Sequence, residues 1–156
     1  MSEAVFIHYG SKKFDITKFE DIKNQPFFVK PTGGLWGSPV NSEFGWKHWC
    51  EGSNFSECNE DNSFQFILDE TANILEINSV KDLDNLPRVK SPIPGLKINS
   101  VVCLDYERIL ASGVDAIVLN MSKNTDRIGD SLYFALYGWD CDSILVMNKN
   151  IVKQCS

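Results

Sequence analysis

Apolar residues in this chain fall in short runs, and turn residues cut each run off. Val5-Phe6-Ile7-His8-Tyr9 ends at Gly10-Ser11, and Leu35-Trp36-Gly37 sits between Pro31-Thr32-Gly33-Gly34 and Ser38-Pro39. Further runs are Phe64-Gln65-Phe66-Ile67-Leu68, Asn73-Ile74-Leu75-Glu76-Ile77, Asp115-Ala116-Ile117-Val118-Leu119 and Ser143-Ile144-Leu145-Val146-Met147. Runs this short, rich in β-branched and aromatic residues and closed by Gly, Pro, Asn or Ser, read as strands. Helical spacing is confined to short segments: one holding Trp46, Trp49 and Cys50 behind a cap at Asn41 or Ser42 and ended by Gly52-Ser53, one capped by Ser79 and running through Leu83 to Leu86, and one over Asp105–Ala111. Asp69-Glu70-Thr71-Ala72 predicts an antiparallel hairpin between its flanking strands, and Ser143–Met147 is expected to be the final strand. Arg88–Pro94 and Asn124–Asp130 read as loops, and Tyr133–Tyr137 as a short strand or helix. Strands outnumber helices without regular β-α-β alternation, so the expected class is α+β with a mixed, mostly antiparallel core.

At 156 residues the chain suits a single domain, 1–156, with no internal repeat or linker. A net charge of −6 makes it a poor general binder of phosphate backbones. The five cysteines form no C-x-x-C pair, and with two histidines no metal site is expected. No apolar stretch is long enough to span a membrane, and Met1-Ser2-Glu3-Ala4 does not open a leader, so a reduced, cytoplasmic setting is expected.

Phosphate-loop, dinucleotide-fingerprint, zinc-protease and serine-hydrolase motifs are missing. Two segments stand out instead: His8-Tyr9-Gly10-Ser11 at a strand end, and Lys30-Pro31-Thr32-Gly33-Gly34-Leu35-Trp36-Gly37-Ser38-Pro39. Paired glycines beside a large aromatic suit a backbone that must approach a flat ligand, with Trp36 to stack and His8 and Ser38 to hydrogen-bond. The plainer account is a core histidine and an ordinary Pro-Thr-Gly-Gly turn.

In this order the two segments resemble the ADP-ribosyltransferase superfamily, in its diphtheria-toxin-like, H-Y-E branch. A first strand there carries His followed by Gly and a small hydroxyl residue. A second reads Gly, apolar, aromatic, small, Ser, as in Gly34-Leu35-Trp36-Gly37-Ser38. A helix follows, and a last strand carries Glu. The resemblance covers residues 5–52 and, loosely, the last strand. It implies a split, mainly antiparallel β-sheet with flanking helices, and NAD as substrate. His8, Tyr9 and Gly10 would contact NAD from the first strand, and Gly34, Leu35, Trp36 and Ser38 from the second. Trp36 stands where the family has Tyr. The last strand has no Glu; Asp142, which opens it, would take the acid's catalytic role beside His8 and Trp36, with Asp140 and Ser143 as the other positions in reach. The implied reaction breaks the nicotinamide–ribose bond and passes ADP-ribose to a protein or nucleic-acid acceptor. Two rival readings are a catalytically silent binding module on the same fold and an acidic mimic of nucleic acid.

Overall fold

The computed structural model describes residues 4–25, 30–54, 58–90, 102–120, 135–136, 139 and 141–155. Its strands are β1 (Phe6–Tyr9), β2 (Leu35–Pro39), β3 (Ser63–Leu68), β4 (Ile74–Ile77), β5 (Arg88–Lys90), β6 (Val102–Leu104), β7 (Ala116–Leu119), β8 (Ser143–Val146) and β9 (Val152–Gln154); its helices are α1 (Trp46–Ser53) and α2 (Tyr106–Ala111). Seven strands form one sheet in the order β4-β7-β8-β2-β1-β3-β9, and β5 pairs with β6 apart from it. Every pairing in the large sheet is antiparallel except β4 with β7. The expected α+β class with a mainly antiparallel sheet therefore holds.

Both faces of the sheet's centre are covered. Ile117, Leu119, Leu145 and Met147 face a core with Ile77, Leu104, Tyr106, Ile109 and Trp139. Their neighbours Ala116, Val118, Ile144 and Val146 face Phe6, Leu35, Phe64, Phe66 and Ile151. Burial on both sides is why β7 and β8 are unbroken apolar runs rather than alternating ones. In β3 the alternation survives: Phe64 and Phe66 are buried while Gln65 between them is exposed.

Several local expectations are corrected. β3 and β4 do not form a hairpin: β3 pairs with β1 and β9, β4 pairs in parallel with β7, and the two lie toward opposite edges. Asp69 turns the chain by accepting from the N–H and hydroxyl of Thr71, and a parallel partner needs a crossover, here the stretch holding α2. Ser143–Val146 is not the last strand, because a 3₁₀ turn at Lys149–Ile151 leads into β9. The helix after Ser79 is a 3₁₀ turn over Val80–Leu83, and Arg88–Lys90 is a strand rather than loop. Ser91–Pro94, Asn124–Asp130 and all of Tyr133–Tyr137 except Ala135 and Leu136 lie outside the described residues.

One junction in the large sheet is weaker than the rest. β1 and β2 pair only at Phe6 with Pro39 and Ile7 with Ser38, whereas the other pairings run three or four residues. Beyond Ile7 the two strands part, and the side chain of His8 bridges them.

Candidate functional site

His8 Nδ1 lies 2.6 Å from the carbonyl oxygen of Trp36. A carbonyl only accepts, so Nδ1 carries the proton and donates, and in the neutral ring Nε2 is left as an acceptor. That nitrogen is on the side of Gly10, where an added Cβ would lie in ordinary contact with it at 3.6 Å. Gly10 has φ of +123°, and its N–H donates to the Asn62 carbonyl at 2.9 Å. The His8 ring also leans on Phe64, with centroids 5.2 Å apart.

Where the strands part there is a cavity of about 290 Å³. His8, Tyr9, Trp36 and Ser38 line it from β1 and β2, Ser143 from the start of β8, and Trp139 and Cys141 from the segment before β8. The Trp36 ring meets the ring of Trp139 edge-on at 4.8 Å and 68°, and Lys30 Nζ sits 4.2 Å from the Trp36 centroid. Trp139 is fixed in turn by donating from Nε1 to the Tyr106 hydroxyl at 3.1 Å. Burial raises the Tyr106 phenol far above its usual ionisation range.

A second, wider hollow of about 660 Å³ shares His8 and Trp36 with the first. Gly10, Gly34 and Leu35 line it, with Phe14, Phe19 and Phe64 as an aromatic wall. Lys12, Lys13 and Lys18 stand in its lining against Asp15 and Glu20. The Thr17 hydroxyl and N–H hold the Asp15 carboxyl below its ordinary range.

Of the residues expected from sequence, the fold gathers His8, Tyr9, Trp36 and Ser38 at the central cavity and His8, Gly10, Gly34, Leu35 and Trp36 at the wider hollow. Asp142 is not with them. It is 6% exposed, its carboxylate accepts from the Ser42 hydroxyl at 2.7 Å, and its N–H donates to the Phe44 carbonyl at 2.9 Å. Alternation along the chain turns Cys141 and Ser143 toward the cavity and leaves Asp142 on the other side, tying down the loop before α1. Asp140 lies outside the described residues. The described lining of the central cavity thus holds hydroxyls, an imidazole, a thiol and one ammonium, with no carboxylate.

Two further expectations change meaning. The cap of α1 is not Asn41 or Ser42: the helix starts at Trp46, whose N–H donates to Ser38 Oγ at 2.9 Å, so Ser38 serves the helix as well as the cavity wall. Gly34 owes its identity to the fold: with φ of +75°, a Cβ there would lie 2.6 Å from Leu145 Cδ1 and 2.9 Å from the Val146 carbonyl. The sequence reasoning missed Trp139 and Cys141, although Trp139-Asp140-Cys141-Asp142-Ser143 was visible as an aromatic and polar run before an apolar strand.

Among the described residues no group of three or more His, Cys, Asp or Glu side chains is placed to hold a metal ion, and no helix is long and apolar enough to cross a membrane. Comparison of the chain with protein-family models, with curated proteins and with solved structures finds no match.

Proposed function

We propose that the cleft binds NAD and that the chain is an ADP-ribosyltransferase-like enzyme, cleaving the nicotinamide–ribose bond and passing ADP-ribose to a macromolecular acceptor. The observation that carries this reading is the convergence of His8, Trp36, Ser38 and Ser143, from three neighbouring strands, on one cavity at the parting of β1 and β2. A dinucleotide has two bulky ends joined by phosphates, and the two hollows share a boundary at His8 and Trp36. The nicotinamide end suits the smaller, tryptophan-walled cavity. The adenosine suits the phenylalanine wall, and the phosphates suit Lys12, Lys13 and Lys18. His8 Nε2 accepts from a ribose hydroxyl while its Nδ1–H holds the ring in place.

In the reaction the nicotinamide leaves with the electron pair of the broken bond, which neutralises its ring, and positive charge grows on the ribose. Fixed lone pairs near that carbon lower the barrier. Here Ser143 and His8 supply them, weaker than a carboxylate, so slow turnover is expected.

A second reading is favoured by one observation: the buried carboxylate nearest the cavity wall, Asp142, is engaged by Ser42. On that reading the chain is a catalytically silent module that binds a dinucleotide or a protein. Ligand-observed NMR of NAD with the folded protein separates the two. Saturation transfer that weakens in His8→Ala, with free nicotinamide accumulating, supports the enzyme. Transfer without nicotinamide release supports the silent module, and no transfer from the folded protein rejects NAD as ligand.

A further inference from the structure

Among the described residues, Lys30 is the one ammonium in the lining of the central cavity. Its Nζ lies over the Trp36 ring, 4.2 Å from the centroid, which is cation–π distance. Trp139 meets the same ring edge-on at 4.8 Å. Trp36 is also the wall on which a ligand's flat ring would stack. The group that lies on that wall in the structure is therefore a cation supplied by the chain itself.

The backbone that carries Lys30 is tied down outside the cavity. Gln25 Nε2 donates to the Lys30 carbonyl at 2.7 Å. Lys23 and Thr32 exchange N–H to carbonyl bonds of 3.0 and 2.9 Å, which closes the segment on itself. Asn24 fastens it to the start of α2: its N–H donates to the Glu107 carboxylate at 3.2 Å, its Nδ2 to Asp105 at 2.9 Å, and its Oδ1 accepts from the Tyr106 N–H at 2.9 Å. At the other end the Gly34 N–H donates to the Glu20 carbonyl at 2.8 Å. The main chain at Lys30 is thus placed by the fold, whereas its ammonium rides on a flexible four-carbon stem that can swing.

One face of an indole takes one partner. We infer that Lys30 is an internal competitor for the ring-binding face of Trp36: its ammonium holds the place of a ligand's ring, and the ligand enters by displacing it. A neutral ring gives up the cation–π contact without replacing it. A cationic ring restores it, so the cavity favours flat organic cations over neutral rings of the same shape. That the ring is the oxidised nicotinamide of NAD rests on the reading above. The contact sets affinity against occupancy: it keeps the wall covered and makes every stacking ligand weaker than the bare wall would allow.

The test uses the full chain and NMR titration with 1-methylnicotinamide, a cationic ring with neither ribose nor phosphate, with nicotinamide, its neutral counterpart, and with NAD. Lys30→Met keeps the apolar stem and removes the charge. Lys30 is half-buried and belongs to neither core cluster, so the variant should fold. Binding of 1-methylnicotinamide is expected to tighten about fivefold in Lys30→Met, the usual worth of such a contact, and not in Lys30→Arg, which keeps a cation on the indole. In wild type the Lys30 Cε protons, identified by their loss in Lys30→Met, should resonate upfield in the Trp36 ring current and move downfield as 1-methylnicotinamide is added. Nicotinamide should bind wild type more weakly than 1-methylnicotinamide does. Unchanged, weaker or no binding of 1-methylnicotinamide in Lys30→Met, or Cε protons that do not move, would each overturn the inference. Tighter 1-methylnicotinamide binding in a protein that does not bind NAD upholds the competitor and rejects the dinucleotide reading. NAD binding that Lys30→Met leaves unchanged or weakens does the reverse.

Discussion

His8 does two jobs with two nitrogens. Its Nδ1–H replaces a missing rung between β1 and β2, and its Nε2 faces the hollow by Gly10. His8→Ala should weaken NAD binding about tenfold, roughly 1.4 kcal/mol, read by titration. Ser143 opens β8 at the cavity wall. Ser143→Glu would put a carboxylate where charge grows on the ribose, and nicotinamide release should rise roughly tenfold or more, in line with the usual worth of one such group. A release rate no greater than wild type, from a folded variant that still binds NAD, would remove Ser143 from the reacting centre. Asp142 behaves differently. Asp142→Ala takes away the partner of the Ser42 hydroxyl in a buried setting, so it should cost about 1–3 kcal/mol of stability, measured by denaturant unfolding.

Among elements, what was legible in the sequence was the existence of strands, because short β-branched and aromatic runs and the turn residues that close them act locally. β1, β2, β3, β4, β7 and β8 all lie where short apolar runs predict them. Pairing was not legible. Nothing in Ile74–Ile77 states that its partner is the distant β7, and the Asp69–Ala72 turn looks the same whether or not its strands pair. The cavity was half legible: His8, Trp36 and Ser38 stand in a recognisable order, but Trp139, Cys141 and Ser143 reach it only because β8 lies beside β2. Tertiary contact also explains the shifted cap of α1, since Ser38 is eight residues before the N–H it satisfies. The tight approach of β2 to β8 gives a prediction at this scale. Gly34→Ala needs a positive φ and meets the Leu145 side chain and Val146 carbonyl, so it should destabilise by more than about 1 kcal/mol and lower Tm.

For the molecule as a whole, charge and ionisation set the conditions under which it works. The total is −6, yet the proposed phosphate contacts, Lys12, Lys13 and Lys18, gather at one hollow. Ionic strength should therefore weaken NAD binding although the chain as a whole repels anions. Tyr106 links the core to the cavity through Trp139. Burial raises its phenol above its unfolded value of about 10, so its contribution is complete below that pH and is lost as pH rises through the folded value. In an ultraviolet alkaline titration Tyr106 should ionise only as the protein unfolds.

The short ladder between β1 and β2 makes the large sheet resemble a book whose two leaves share a narrow spine. One leaf is β4-β7-β8-β2 and the other β1-β3-β9, and the ladder between them is two paired positions, a backbone bond from the Val40 N–H to the Val5 carbonyl, and one imidazole. Any molecule seated in the gap touches both leaves and lengthens the spine. Its binding energy is then shared by strands it never contacts, and amide exchange should slow as far away as β9 and β4.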